Sequence, residues 1–287
     1  MMKQTSEPVV IHSVAEMRAY TAETKARGQK IGLVPTMGAL HEGHLSLIRR
    51  AVTENDITIV SVFVNPIQFD DPKDFAAYPK TLESDAKAAF GAGANVVFAP
   101  CASDMYPEGF STFIDMTGPS EQLCGAFRPS HFRGVLTVLG KLFGLCRPDA
   151  AYLGEKDAQQ LAVVRKMATE LCMNVIITGC PTVREKDGLA MSSRNVRLAA
   201  DERLASRCIF RALHEAAALF ASGETSADKL VAAMLCVLGM EPLARVDYAK
   251  VVDPFTFLET PVARKDDIVA LAVYIGETRL IDNLRLR

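Results

Sequence analysis

Residues 57–64 constrain the fold more than any other stretch: Ile57, Thr58, Ile59, Val60, Ser61, Val62, Phe63 and Val64 offer almost no polar face to water. A strand of this kind has to be covered on both sides, as in a parallel sheet sandwiched between helices. Shorter apolar runs at 31–34, 95–98, 151–153 and 175–178 are expected as further strands, with 111–116 as a more peripheral one. Between them lie stretches of helical periodicity. One is 13–27, where Ser13 is placed to cap the start and Gly28 to close the end. Another is carried by Leu45, Ile48 and Val52; others run over 81–90, capped by Thr81, then 135–145 and 158–171. Strands alternating with helices imply the α/β class, a doubly wound parallel sheet of Rossmann type.

The pattern changes after Pro181. Two helical stretches, 200–221 and 227–238, precede strand-like runs at 246–252, 268–275 and 278–284, the last two joined by a hairpin turn at Gly276-Glu277. A smaller C-terminal α+β domain with an antiparallel sheet is expected, dividing the chain into 1–182 and 183–287.

Composition removes several function classes. A net charge of −2 gives no bulk attraction to nucleic acid or to an anionic membrane. No apolar run reaches the roughly 18–20 residues of a spanning helix. Residues 1–8 are polar and lack the apolar centre of a signal peptide, so a frayed tail is expected there. The seven cysteines form no C-x-x-C pair, which reads as reduced, mostly buried thiols of a cytoplasmic protein.

Familiar ligand motifs fail on inspection. Gly134 to Leu142 has five residues between its glycines and Leu142 where a P-loop needs Ser or Thr. Gly91-Ala92-Gly93 precedes a strand, whereas a dinucleotide fingerprint follows one. His41 and His44 are three apart, not the four of a zinc protease helix. What holds is Pro35-Thr36-Met37-Gly38-Ala39-Leu40-His41-Glu42-Gly43-His44, set between the run at 31–34 and the helix of Leu45. Two glycines let backbone approach a ligand, and a helix start turns free N–H groups toward it. The combination describes a phosphate site without a Walker lysine. Three more segments share its character. Phe63-Val64-Asn65-Pro66-Ile67-Gln68-Phe69 ends a strand in amides. Gly154-Glu155-Lys156-Asp157-Ala158-Gln159-Gln160 follows a strand and opens a helix. Val183-Arg184-Glu185 with Gly188-Leu189-Ala190-Met191-Ser192-Ser193-Arg194-Asn195 forms a basic, hydroxyl-rich loop.

In this order the four segments resemble the pantoate–β-alanine ligase family, within the nucleotidylyl transferases that carry HIGH-type motifs. The resemblance spans residues 35–195. It implies an ATP-dependent condensation of pantoate with β-alanine through a pantoyl adenylate, releasing pyrophosphate and AMP, with Mg2+ accompanying ATP. It also implies roles. His44, His41, Lys156 and Arg194 are the catalytic candidates, with His44 as proton donor to the leaving group. Met37, Gly38, Ala39, Leu40, His41, Glu42, Gly43, His44, Gly154, Glu155, Lys156, Asp157, Val183, Met191, Ser192, Ser193 and Arg194 are expected around ATP. Gln68 and Gln160 are expected on pantoate, Gln68 also on β-alanine, and Asn65 beside a phosphate or carboxylate. Arg128, His131 and Arg133 form a polar stretch that can border the pantoate pocket. Asp85 is expected as a solvated carboxylate in preference to a magnesium neighbour, and Asp70-Asp71 receives no assignment. Ala158 departs from the family, where an aromatic residue is expected. A homodimer is implied, through an edge strand near 111–116. No metal ligand can be named. Two rivals stay open: a superfamily transferase acting on a phosphorylated acceptor, and a non-catalytic nucleotide-binding protein of the same fold.

Overall fold

The computed structural model describes residues 8–287. The expected tail therefore lies, but for Pro8, outside the described residues. Six strands form one parallel sheet: β1 (Val9–Ile11), β2 (Ile31–Thr36), β3 (Ile57–Val62), β4 (Val96–Phe98), β5 (Ala150–Gly154) and β6 (Ile176–Cys180). Their spatial order is β1-β4-β3-β2-β5-β6, and every neighbouring pair is parallel. Alternate residues serve opposite faces. Ile31, Leu33, Ile57, Ile59, Val96 and Phe98 join a core with helices Val14–Ala26, His131–Cys146 and Ala158–Glu170. Val34, Val60 and Val97 meet helices Glu42–Glu54 and Leu82–Gly91 on the other face. Both faces of the central run are covered, as its composition requires.

The C-terminal part holds an antiparallel sheet of β7 (Ala244–Val252), β8 (Ile268–Ile275) and β9 (Thr278–Arg285), in that order. Strand β8 divides its side chains by parity. Val269, Leu271, Val273 and Ile275 pack with helices Arg207–Ala221 and Ala227–Gly239, whereas Ile268, Ala270 and Ala272 join the core of the parallel sheet. The small sheet is thus packed on both sides, and its inner face is joined by apolar contact to the first half of the chain.

Two expectations are corrected. Residues 111–116 form no strand. Ile114 donates its backbone N–H to Thr137 Oγ1 (3.0 Å), and its side chain fills the space where Gly140 would carry a Cβ, so the segment lies along a helix. The sheet edge beyond β4 is instead taken by β1, whose three residues sit beside the polar start of the chain. Residues 200–221 form two helices, Ala200–Ala205 and Arg207–Ala221, separated at Ser206. Ser206 is fully buried and its hydroxyl donates to the Arg203 carbonyl, competing with the helical ladder.

Candidate active site

Strand order reverses between β2 and β5, and open α/β sheets bind ligands beyond the carboxyl ends of strands at such a point. A cavity of about 1000 Å³ lies there, and its far wall comes from the small sheet through Asp247, Tyr248, Arg279, Asp282 and Asn283.

Beyond β2 the chain turns through Gly38 (φ +86°) and Ala39 (φ +50°), a left-handed pair that alanine adopts only when held. Asp85 holds it. Its Oδ2 accepts from Ala39 N–H (3.0 Å) and the Thr81 hydroxyl (3.0 Å), and its Oδ1 accepts from Leu40 N–H (2.8 Å). Asp85 is buried, so the expectation of a solvated carboxylate is corrected. The chain then enters helix Glu42–Glu54 with His41 at its N-cap. His41 N–H donates to His44 Nδ1 (3.3 Å), which places the His44 proton on Nε2; the two rings lie 4.1 Å apart. Burial, then His41 and Lys156, push the His44 imidazole down to about 3. Burial and Lys156 likewise lower His41. His44 is therefore neutral at pH 7 and carries its proton on Nε2. His41 Nδ1 is buried without a hydrogen-bond partner among the described residues.

Beyond β5, a Cβ on Gly154 would meet nothing within 4 Å, so this backbone stands open to the cavity. Asn283 of β9 donates to the carbonyls of Glu155 (3.0 Å) and Lys156 (2.8 Å), tying the turn to the opposite wall. The Lys156 ammonium lies 3.7 Å from Asp157 Oδ1. Beyond β3, Gln68 Nε2 lies 2.7 Å from Met37 Sδ, and Gln68 Oε1 accepts from Asn65 Nδ2 (3.0 Å). Asn65 also lines the cavity, but its amide is spent on protein partners.

The loop after β6 is anchored by Arg184, which reaches both carboxylate oxygens of buried Asp282 (2.6 and 3.0 Å). Further along, Arg194 (3.1 Å) and Arg197 (3.0 Å) share the carboxylate of Asp74, from the helix Pro72–Ala76 across the cavity mouth. Burial raises Asp74 and the two guanidinium groups lower it, with the lowering prevailing. The acidic loop thereby gains its roles. Asp70 pairs with Arg128 (3.4 Å) and accepts from Ser130 N–H, Asp71 caps the short helix, and Asp74 bridges the cleft.

Of the expected residues, Met37, His41, Gly43, His44, Gln68, Gly154, Lys156, Asp157, Gln160, Val183, Met191, Ser192, Ser193 and Arg194 line this one cavity. Gly38, Ala39 and Leu40 form the turn behind it. The Glu42 side chain pairs outward with Arg49, and Glu155 is exposed. Gln159 and Gln160 both line the cavity, but the Gln159 amide is buried and committed to Cys124 N–H and the Pro119 and Gln122 carbonyls. Arg128 and His131 line it too, both donating to the Gln68 carbonyl, whereas Arg133 stacks on Phe113 outside it. Sequence reasoning missed Asp74 and the wall from the small sheet, and placed Asp85 in solvent. Asp85, four residues after Thr81, carried only the signal of an N-terminal helix carboxylate.

His131 yields a pH prediction. Its Nδ1 lies 2.9 Å from the Gln68 carbonyl, which can only accept, and burial followed by Arg128 pushes the ring down to about 4 from its ordinary 6.5. Between those values the unfolded chain binds a proton that the folded chain refuses. Stability therefore falls as pH drops from about 6.5 toward 4, and it is fully recovered above 6.5. At pH 5 the cost is on the order of 2 kcal/mol. His131→Asn, which keeps a donor near the Nδ1 position, should lose about that much less stability between pH 7 and pH 5 in urea unfolding; equal losses would remove His131 as the cause.

Known proteins match this arrangement. The model of the pantoate-beta-alanine ligase family matches residues 9–285. The pantothenate synthetase of Heliobacterium modesticaldum is 50% identical over 275 residues, covering 96% of this chain and 98% of that one. That of Geobacter sulfurreducens is 49% identical over 274 residues, covering 96% and 97%. A crystal structure of the Thermus thermophilus pantothenate synthetase aligns with a TM-score of 0.92 at 42% identity, over 96% of this chain and 98% of that one. The pantoate-beta-alanine ligase of Francisella tularensis, complexed with beta-gamma ATP and beta-alanine, aligns with a TM-score of 0.80 at 33% identity over 97% of each chain. With a family model spanning nearly the whole chain and relatives near half identity along its length, this chain belongs to the pantoate–β-alanine ligase family.

Proposed function

We propose that this chain condenses pantoate with β-alanine at the expense of ATP through a pantoyl adenylate, as the precursor-forming step of coenzyme A synthesis. The observation that carries the reading is the convergence of both histidines, Lys156, Arg194, Gln68 and Gln160 on one cavity at the sheet's switch point. In the first step a pantoate carboxylate oxygen attacks the α-phosphorus, and the bond from phosphorus to the bridging oxygen breaks to release pyrophosphate. Charge builds on that bridging oxygen, and preorganised donors there lower the barrier. Neutral His44 offers Nε2–H, His41 lies beside it, and Lys156 supplies a positive charge. In the second step the β-alanine amine attacks the acyl carbon, loses a proton to solvent, and AMP leaves with the former carboxylate oxygen. Gln68 and Gln160 are assigned to pantoate, Gln68 also to the β-alanine subsite. Ser192, Ser193 and Arg194 are assigned to the outer phosphates, with Met37, Asp157, Val183 and Met191 toward the nucleoside.

Mg2+ fits as part of the ATP complex. The described residues gather no group of three or more His, Cys, Asp or Glu side chains of metal-binding geometry, and magnesium commonly keeps phosphate oxygens and waters as its ligands. The reading extends to residues 1–182 as the nucleotide and pantoate domain and 183–287 as a lid domain, in a cytoplasmic homodimer. That dimer needs a surface other than a strand at 111–116. No helix of the described residues is long and apolar enough to cross a membrane.

The test is pyrophosphate release from MgATP with pantoate alone, followed by AMP release on adding β-alanine. A stoichiometric burst with pantoate, turning over once β-alanine arrives, is expected. Indifference to pantoate, with turnover on a phosphorylated acceptor, would move the chain to the transferase rival.

The Asp74 bridge adds a prediction. Arg194 must leave Asp74 to reach the outer phosphates, so Asp74 competes with them for its guanidinium group. Asp74→Asn should tighten ATP about fivefold, the scale of one partly exposed ion pair. AMP, which lacks the outer phosphates, should bind unchanged. Calorimetric titration with both nucleotides checks this, and parallel shifts would deny the competition.

A further inference from the structure

Behind Gln68 lies a hydrogen-bond chain whose polarity is determined by its own members. The Tyr106 hydroxyl donates to Asn65 Oδ1 (2.7 Å). Asn65 Nδ2 then donates both its protons, to Gln68 Oε1 (3.0 Å) and to the Gly134 carbonyl (3.0 Å). Reversing the Asn65 amide would set its oxygen against two acceptors and take away the oxygen to which the Tyr106 hydroxyl donates. Asn65 is almost fully buried, which keeps bulk solvent from relieving that clash. The close approach needed for the Gly134 bond exists because residue 134 has no side chain: a Cβ there would stand 2.4 Å from the Ile67 carbonyl. Burial raises the Tyr106 phenol far above its ordinary range, so it keeps the proton it donates. The backbone carbonyl of Gln68 is held separately by His131 Nδ1 (2.9 Å) and Arg128 Nη2 (3.2 Å).

We infer that Tyr106 is a specificity-determining positioning residue: acting through Asn65, its hydroxyl helps lock the Gln68 amide with Oε1 toward Asn65 and Nε2 on the cavity wall beside Met37 Sδ, so that Gln68 meets its substrate only as a donor, through the Nε2 proton not turned to the sulfur. Resting on the reading of Gln68 as a pantoate contact, this refines what that contact can do. A freely turning glutamine donates and accepts, and so tolerates a carboxylate, a carboxamide or an ester. A donor-only glutamine selects an oxygen with free lone pairs and disfavours a group that presents N–H. Tyr106 itself touches no substrate in this scheme. Its ring packs against Phe63 and Phe110, contacts that phenylalanine would keep.

The experiment compares wild type with Tyr106→Phe in steady-state turnover, varying pantoate, ATP and β-alanine in turn, with the neutral carboxamide of pantoate as a competing inhibitor. Loss of the hydroxyl leaves Asn65 Oδ1 buried without its donor, so the Gly134 carbonyl alone opposes reversal of the Asn65 amide and Gln68 is held less firmly. The pantoate KM should rise about tenfold, the worth of one hydrogen bond. The KM of ATP and kcat at saturating pantoate should stay within about twofold. The carboxamide should bind as well as before or better, narrowing the preference for carboxylate. An unchanged pantoate KM and carboxamide preference would overturn the inference. So would an equal decline of every kinetic constant together with a lowered melting temperature, which would make Tyr106 merely structural. Failure of the underlying reading shows separately, as a wild-type enzyme that does not turn over pantoate at all.

Discussion

Replacing Lys156 by alanine is expected to lower the rate of adenylate formation by about 10²- to 10³-fold, while the KM for ATP changes by less than about threefold. The expectation follows from how loosely the ammonium group is engaged. Its ion pair to Asp157 spans 3.7 Å, longer than a good hydrogen bond, and its side chain is mostly enclosed. Its charge nevertheless reaches both histidine rings, lowering His41 and His44. A charge close enough to be felt by both imidazoles, and not tightly neutralised, is suited to meet negative charge that appears during reaction. In water one charge pair at about 4 Å is worth about 1 kcal/mol; at an effective dielectric of about 20 it is worth about 4 kcal/mol, before desolvation subtracts its share. Arginine at 156 should recover little, because a planar fork does not occupy the place of a compact ammonium. A second readout is independent of turnover. Removing the cation should raise the pKa of both histidines, visible by NMR titration. If the ATP KM rose as much as kcat fell, or kcat held, Lys156 would be a binding residue for the ground state.

The parallel sheet and the motif residues were legible in the sequence for a shared reason: both are local. Residues 57–64 announce their burial by composition, and His41, His44, Lys156 and Arg194 sit in short segments whose residue types already suit phosphate chemistry. What was not legible depends on contacts between distant positions. Strand β1 is three residues long and becomes a strand only because β4 offers it an edge. Residues 111–116 have strand-like composition but spend it on a helix, where Gly140 leaves room for Ile114. Arg279 and Tyr248 read as ordinary alternating positions of a strand pair. The fold turns them to the cavity near a register shift of β7 between Val246 and Tyr248. The resemblance implies Asn65 beside a phosphate or carboxylate; the residues that hold its amide, Tyr106 and Gly134, lie 41 and 69 residues away and are invisible to a motif.

Asp85→Ala should be the more damaging of the changes made behind the site, although Asp85 touches nothing that reacts. The carboxylate satisfies two backbone N–H groups and one hydroxyl from a buried position in the first turn of helix Leu82–Gly91, where the helix itself favours an anion. Truncation leaves Ala39 and Leu40 N–H unpaired, each costing about 1–3 kcal/mol if water does not replace the oxygens. A loss of about 3 kcal/mol and a melting temperature lower by roughly 5–10 °C are expected. The functional loss should exceed what stability explains. Ala39 adopts a positive φ only because Asp85 grips it, and the same turn carries Met37 on one side and His41 on the other. Once released, the turn no longer delivers the histidines at a set distance from Lys156, and kcat should fall about 100-fold even at temperatures where the variant is fully folded. Asp85→Asn separates the two effects. One amide oxygen can still accept from Leu40, while the NH2 group opposes the Ala39 N–H, so stability should be partly restored and kcat less so. A variant that kept wild-type kcat at low temperature would show that the turn holds its shape without the carboxylate, and that Asp85 serves the helix alone.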